Sequence, residues 1–558
     1  MPAKNPRVII IGGVAGGASA AARLRRMLEN AEILLVERGP DVSFANCGLP
    51  YHIAQTIPQR ASLLVQTPES LLRRFNLQVY TRTEATAIDR AARQVVLRNL
   101  ADGSTRREHY DYVVLSPGAE PVRPPLPGAD LAGIYTLRSM DDMDRIKSRL
   151  DRALPRQALI VGGGYIGLEM AEALRQRQVP TMLVELTGQV MGPIDPEMAT
   201  PLHQELRRHG VDLRLNTQVK GFAAAPNAPE GGAIAELSSG ERVAADLVLL
   251  AIGVRPETTL ARQAGLALGP RGGIAVNEHM QTSDPAILAV GDAVEVIDFV
   301  TGAPALIPLA GPANRQGRIA ADVIAGRDSV YRKTQGTAIC KVFDLAIATT
   351  GASEKSLRRA KLPYQKAVVH AGSHAGYYPG AQPVTLKLLF APDDGRLLGA
   401  QAVGFDGVDK RIDVLATALR AGMTVFDLEH LELAYAPPYG SAKDPVNMAG
   451  FVAANALRGD SPLAQAEELL TPPPGTVVLD VRTAKEFAAG HIDGALHVPV
   501  DELRGRLEEL PRDRELLVYC QVGLRGHVAC RLLLQHGFRC RNVSGGYKSF
   551  LMVRDAGR

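Results

Sequence analysis

The first patterned stretch, RVIIIGGVAGGASAAARLRRM, is an uncharged apolar run, a glycine turn and then small apolar residues at helical spacing. A short apolar run bounded by glycine predicts a buried strand, and the change of period predicts a helix packed on it. AEILLVERG follows as a second strand and ends in Glu37. The same order returns at QALIVGGGYIGLEMAEALRQ and VPTMLVELTG, which carries Glu185. YDYVVLSPGAEP, between the two units, and ADLVLLAIGVRPET, beyond the second, both read as strands entering turns. TSDPAILAVGDAVEV is an apolar strand that delivers Gly291 and Asp292. After about residue 331 the character changes: strand-like QPVTLKLLF and RLLGAQAVG alternate with the helical DVLATALRAGMT. Pro472, Pro473 and Pro474 mark a boundary, beyond which TVVLDVRTAKEF and ELLVYCQVGLRG open a further α/β pattern.

These repeated units carry chemistry. Glycines before a helix permit a tight turn and close backbone approach to a pyrophosphate, and an acid after the second strand takes a ribose hydroxyl pair. Gly162, Gly164 and Gly167 fit GxGxxG around Tyr165 and Ile166; in the first unit Gly12 and Gly17 fit, with Val14 in the middle position and Ala15 beside it. Two such units predict two dinucleotide sites. Glu37 with Arg38, and Glu185, are the candidate ribose acids; Ser116, Gly118, Gly253, Gly291 and Asp292 are the candidate cofactor contacts at the other strand ends. Asp292 follows a buried strand, where a carboxylate needs a partner: a cofactor hydroxyl, a helix N-terminus, or both.

A chain of 558 residues exceeds a single core, so three or four domains are expected. Apolar residues at 46% and charged residues at 22% are those of a soluble globular protein, and a net charge of +4 is too dilute to indicate nucleic acid or a membrane surface. No long uncharged apolar run predicts a membrane helix, and the N-terminus enters its strand with no room for a signal peptide, so a cytoplasmic protein is expected. The five cysteines, Cys47, Cys340, Cys520, Cys530 and Cys540, form neither a disulfide framework nor a metal pair. Cys530 sits in the apolar helix HVACRLLLQHGF, and it, Cys540 in FRCRNV and Cys340 in AICKVFD are expected to be structural. Cys47 lies instead in the polar, turn-forming SFANCGLPYH, with no second cysteine near it.

Together these features resemble the flavin-dependent pyridine nucleotide-disulfide oxidoreductases over about residues 1 to 452. SFANCGLPY, HAGYYPGA and YAPPYGSAKDPVN resemble their coenzyme A-disulfide reductase and NADH-dependent persulfide reductase branch. LDVRTAKEFAAGHIDGALHVPVDEL, CQVGLRG and NVSGGYKSF resemble a single rhodanese domain. The resemblance implies an α/β protein with two Rossmann-like domains, an α+β dimerisation domain and an α/β rhodanese domain. The expected partition is FAD-binding 1–118 and 255–330, NAD(P)H-binding 119–254, dimerisation 331–452, linker 453–474 and rhodanese 475–558. It further implies FAD, a nicotinamide dinucleotide, coenzyme A as substrate or bound thiol, and a homodimer, with neither nucleic acid nor membrane as partner.

Residue by residue, the resemblance makes Cys47 the redox thiol over the flavin. Tyr435, and Tyr377 or Tyr378, would reach it from the other subunit, and Arg23, Arg26, Ser43 and Asn46 would contact coenzyme A, with Asn46 also beside the flavin. Arg23 and Arg26 also read as a solvated helix face. Dithiol relatives place a second cysteine five positions on, where this chain has His52, and peroxide-reducing relatives carry a histidine where it has Ala15. Cys520 is the sulfur-carrying thiol, with Arg525 closing its loop; His491 matches a structural position, and His374 is expected to be a loop residue. Glu185, with no arginine directly after it, favours NADH over NADPH. The alternatives are a sulfane-sulfur carrier or redox-sensing protein, and an NADH oxidase or peroxidase.

Overall fold

The computed structural model describes residues 5–225 and 231–557, so the parts of the expected domains at 1–4, 226–230 and 558 lie outside the described residues. The chain divides into two compact units, Met1–Val184 with Gly210–Gly336, and Glu185–His209 with Thr337–Arg558.

In the first unit, Arg7–Ile11 forms the centre of a parallel sheet ordered Ile287–Ala289, Tyr112–Leu115, Arg7–Ile11, Glu32–Val36, Gln78–Tyr80. Val8, Ile9 and Ile10 are fully buried, as a run apolar on both faces requires. A second parallel sheet runs Val211–Arg214, Thr181–Val184, Ala158–Val161, Leu247–Leu250, Ile134–Tyr135. The chain therefore leaves the first sheet, builds the second and returns to the first with Ile287–Ala289. The expected turns meet: Ala119–Pro121 pairs antiparallel with Val254–Pro256. The helices Ala15–Met27 and Ala310–Ile324 pack closely, and a Cβ added at Gly317 would lie 2.2 Å from the Gly16 carbonyl oxygen.

The second unit holds an antiparallel sheet ordered Ala338–Val342, Leu345–Gly351, Leu397–Gly404, Pro383–Phe390, Gln365–Gly372, backed by the helices Val408–Arg420 and Pro445–Leu457. Lys387 on this sheet is fully buried and pairs with Asp195 at 2.8 Å, and with Glu197 and Glu354. Burial of a lysine is tolerated because three carboxylates surround it. Asp195 and Glu197 begin the helix Pro196–Arg208, which was expected within the second dinucleotide domain and groups instead with this sheet.

A parallel sheet completes the unit, ordered Leu463–Ala464, Arg539–Val543, Glu515–Tyr519, Thr476–Asp480, Leu496–His497. Residues 453–474, expected as a linker, are not free chain. The helix Pro445–Leu457 enters that range, and Leu463–Ala464 is already the edge strand of the last sheet, ahead of the three prolines.

Candidate functional site

Cys47 is held by two straps. Ser43 N donates to the Gly13 carbonyl at 2.8 Å, which ties the segment to the first glycine turn, and Ala45 N donates to Leu63 O at 2.8 Å. Between them Asn46–Gly48 forms a single 3₁₀ turn that runs into the helix Leu49–Ile53, with Pro50 in its first turn. Gly48 packs closely there: a Cβ would lie 2.5 Å from the end of the Leu63 side chain, which would have to shift. Cys47 is exposed, and its sulfur lies 3.9 Å from Asn46 Oδ1. His52, five positions on, is 3% exposed and joins Nδ1 to Ile57 O at 2.7 Å. It is a packed residue that leaves Cys47 without a neighbouring thiol.

Partial burial pushes the Cys47 thiol above its ordinary value, and the carboxyls of Glu169 and Asp292 add to that shift; the backbone hydrogen bond acts in the other direction. The chain alone therefore disfavours the thiolate. Glu169 was not foreseen from the sequence. It lies on the second glycine-motif helix, Tyr165–Gln176, where burial first, and then Glu172, raise its carboxyl to about 7, against the lowering effect of a 3.5 Å hydrogen bond from Tyr51. Its only sequence signal is an acid in the first turns of a mostly buried helix.

The glycine turns have the shape that a dinucleotide needs. Gly12 and Gly162 adopt φ of +97° and +109°, and a Cβ on either would strike the next strand's carbonyl, at Ser116 or Ala251. Gly17 and Gly167 pass 1.9 and 2.0 Å, measured from an added Cβ, from the Gly12 and Gly162 oxygens. Gly164 and Gly253 instead open onto space with nothing within 4 Å, as backbone that a ligand approaches. Glu37 accepts from Gly13 N at 2.9 Å and Gly39 N at 2.8 Å, while Arg38 pairs with Glu120 at 3.3 Å. Gly118 turns with φ of +75°. Gly291 N is fixed by Gln316 Oε1 at 2.7 Å, and no hydrogen bond from the described residues reaches the Asp292 carboxylate, which burial raises and Arg138 lowers. A half-buried carboxylate that takes no hydrogen bond from the described residues fits a cofactor hydroxyl.

Among the other expected contacts, Arg23 is engaged by Asp322 at 2.8 Å, and Arg26 is exposed. The Glu185 carboxylate accepts from the amide and hydroxyl of Thr187, each at 2.9 Å.

In the second unit, Tyr377 and Tyr435 are 76% and 48% exposed and join hydroxyl to hydroxyl at 2.9 Å, which holds the Tyr377 phenol above its ordinary value. Tyr378 stands edge-on to the buried His374, 5.7 Å between centroids, and His374 Nδ1 sits 3.2 Å from Ala375 O. Ala375 N donates to Gly440 O at 2.8 Å, and Arg411, buried, pairs with Asp444 at 2.8 Å and donates to Ser373 O at 2.6 Å. Arg411 thus fixes both tyrosine-bearing segments, a role with no local sequence signature.

Cys520 closes the strand Glu515–Tyr519 and is fully buried. Of the loop amides, Gly523 N reaches its sulfur, at 3.2 Å. Gly546 backs the loop, since a Cβ there would lie 2.3 Å from Cys520 O and 3.0 Å from the Val522 and Gly523 nitrogens. Arg525 ties the loop through a two-bond pair with Glu486, at 2.7 and 2.6 Å, and this holds the Glu486 carboxyl down at about 2. His491 stacks on Phe487 at 3.8 Å, and Cys340, Cys530 and Cys540 are buried.

Residues 6–313 match the family described as Pyridine nucleotide-disulphide oxidoreductase, 337–444 its dimerisation domain, and 463–552 a Rhodanese-like domain. The chain belongs to the pyridine nucleotide-disulphide oxidoreductase family. Among its relatives, a coenzyme A disulfide reductase of Staphylococcus haemolyticus is 34% identical over 80% of this chain and 99% of its own. The crystal structure of reduced Bacillus anthracis CoADR-RHD is 49% identical, with a TM-score of 0.96 over 98% of each chain. A NAD-dependent persulfide reductase from A. fulgidus is 36% identical, with a TM-score of 0.90 over 98% of this chain and 100% of that one. This oxidoreductase thus combines FAD- and NAD(P)H-type Rossmann domains, a dimerisation domain and a C-terminal rhodanese-like domain. No helix among the described residues is long and apolar enough to cross a membrane.

Proposed function

We propose that the protein is a homodimeric, cytoplasmic reductase that uses NADH and FAD to reduce coenzyme A disulfide or a persulfide at Cys47, and that its rhodanese-like domain transfers sulfane sulfur at Cys520. The observation that carries the reading is Cys47 itself: an exposed thiol on a strapped turn, whose position-five neighbour is the packed His52. Such a thiol closes a disulfide only with a substrate sulfur. The relatives named coenzyme A disulfide reductase and persulfide reductase support that substrate class.

Gly12, Val14, Ala15, Gly17, Glu37, Arg38, Asn46, Ser116, Gly118, Gly291 and Asp292 are the proposed FAD contacts. Gly162, Gly164, Tyr165, Ile166, Gly167, Glu185 and Gly253 are those for NADH. FAD, when bound, supplies the electron transfer from nicotinamide to sulfur. The chain's residues do the rest. The Cys47 thiolate attacks the sulfane sulfur of a persulfide, or one sulfur of a disulfide; the S–S bond breaks, and its electron pair leaves with the departing group. Tyr435 or Tyr377 of the other subunit protonates that leaving group. Ser43, Asn46 and Arg26 hold coenzyme A, joined by Arg23 once it releases Asp322. The domain partition 1–118, 119–254, 255–330 and 331–452 is proposed on the same grounds, except that Glu185–His209 groups with the dimerisation sheet.

Steady NADH consumption with a persulfide acceptor tests the reading. A sulfur carrier or redox sensor would oxidise NADH at most once per flavin, and an oxidase or peroxidase would prefer oxygen or peroxide to persulfide.

A further inference from the structure

Two arginines are tied into the Cys520 loop, and each already has an anion of its own. Arg525 makes its two-bond pair with Glu486, whose carboxyl, held at about 2, stays ionised at neutral pH. Arg482 donates to Gln521 Oε1 at 3.2 Å, but its buried guanidinium is paired with the buried Asp480 at 2.6 Å. Each arginine is half of a salt bridge, so neither offers a full positive charge to an incoming anion.

Lys548 differs from both. It stands in the first turn of the helix Gly546–Ala556, which is fastened to the same loop: Tyr547 N donates to Cys520 O at 2.8 Å, and Lys548 N to Gln521 O at 3.1 Å. Among the described residues no hydrogen bond or ion pair reaches its ammonium group, although the side chain is half-buried. Burial lowers its pKa, and no carboxylate acts to raise it. The buried Lys387 of the same unit is instead surrounded by three carboxylates. The Lys548 charge is felt nearby: burial, and then Lys548, push the imidazole of His370 down to about 3. A half-buried cation without a counter-ion costs stability, unless a ligand brings the counter-charge. Its place on the loop of a sulfur-carrying thiol identifies that ligand as the anion that reacts there.

We infer that Lys548 is the anion-holding residue of the rhodanese-like site: its ammonium takes the sulfonate end of a doubly charged sulfur donor of the thiosulfate class, and sets a preference for such donors over singly charged ones. The inference rests on the reading of Cys520 as a sulfane-sulfur carrier. The step it serves is a displacement. The Cys520 thiolate attacks the outer sulfur of thiosulfate, the S–S bond of thiosulfate breaks, and sulfite leaves with the electron pair of that bond, so that Cys520–S–S⁻ remains. An anion attacks a dianion, and the repulsion between them is relieved by a cation beside the donor. Lys548 supplies that charge with no anion of its own to release first.

The test measures sulfur transfer to cyanide by the full holoenzyme at fixed ionic strength, with thiosulfate or the singly charged methanethiosulfonate as donor. Lys548→Met should raise the KM for thiosulfate about tenfold with kcat little changed, and the KM for methanethiosulfonate by about threefold or less. Lys548→Arg keeps the charge and should hold the thiosulfate KM within about twofold of native. An unchanged thiosulfate KM in Lys548→Met overturns the inference. So does an equal loss with both donors, or a loss that Lys548→Arg shares, because a packing role would move them alike. Failure of both donors to add sulfur to Cys520 in the native protein, read by mass of its peptide, would instead sink the underlying reading of that residue.

Discussion

Tyr377 and Tyr435 share one hydrogen bond, 2.9 Å between hydroxyls, while both rings stand largely in solvent. Exposed tyrosines fixed by a buried Arg411–Asp444 pair behind them suit an interface that supplies a hydroxyl to another surface. Tyr435→Phe should leave the dimer intact and lower turnover with coenzyme A disulfide about tenfold or more, by removing the proton donor. Sedimentation at high dilution, paired with kcat, checks this; a fully active monomer would contradict it.

On the proposed reading, Glu185 sets the choice of dinucleotide. Its carboxylate is already oriented by Thr187, at 2.9 Å from both amide and hydroxyl. A carboxylate at the end of the second strand would bind ribose hydroxyls and repel a 2′-phosphate. Glu185→Ala should narrow the ratio of kcat/KM for NADH over NADPH by about tenfold or more. A native protein that prefers NADPH would contradict the assignment.

The charge of Glu169 bears on Cys47. Its carboxyl titrates at about 7, so it becomes negative as pH rises through 7, and that charge raises the thiol's pKa. Glu169→Gln removes the charge, so the Cys47 pKa should fall, and alkylation of Cys47 by iodoacetamide at pH 8 should speed up roughly threefold. The rate is read by mass spectrometry of the Cys47 peptide across pH 6 to 10. An unchanged profile would show that the two groups do not interact.

Cys520→Ser should abolish sulfur transfer from thiosulfate to cyanide and leave reduction of small soluble persulfides largely intact. Cys520 is the cysteine whose loop directs an amide at its sulfur, whereas Cys47 and the proposed FAD contacts lie in the first unit. Paired rates for the two reactions check this. Equal loss of both would place Cys520 inside the reductase cycle.

What the sequence revealed, and what it hid, follows from the range of the interactions. The glycine turns were legible because their requirement is local: Gly12, Gly17, Gly162 and Gly167 sit where any Cβ meets backbone. Cys47 was legible because a lone thiol in a polar turn is unusual. Glu169 was not, since its environment arises from the packing of Tyr165–Gln176 against Leu49–Ile53, over a hundred residues apart. The strand Leu463–Ala464 was too short to show a period, so it vanished into an expected linker. The helix Pro196–Arg208 was assigned by its neighbours in sequence, but its carboxylates answer to the distant Lys387.

The central claim is that Cys47 is the sole redox thiol of the reductase. The most direct measurement is the rate of NADH oxidation by Cys47→Ser holoenzyme, with FAD content confirmed by its absorbance, using a persulfide and coenzyme A disulfide as acceptors. The account predicts full FAD occupancy with turnover at the background level for both acceptors; turnover retained at more than a small fraction of the native rate would contradict it.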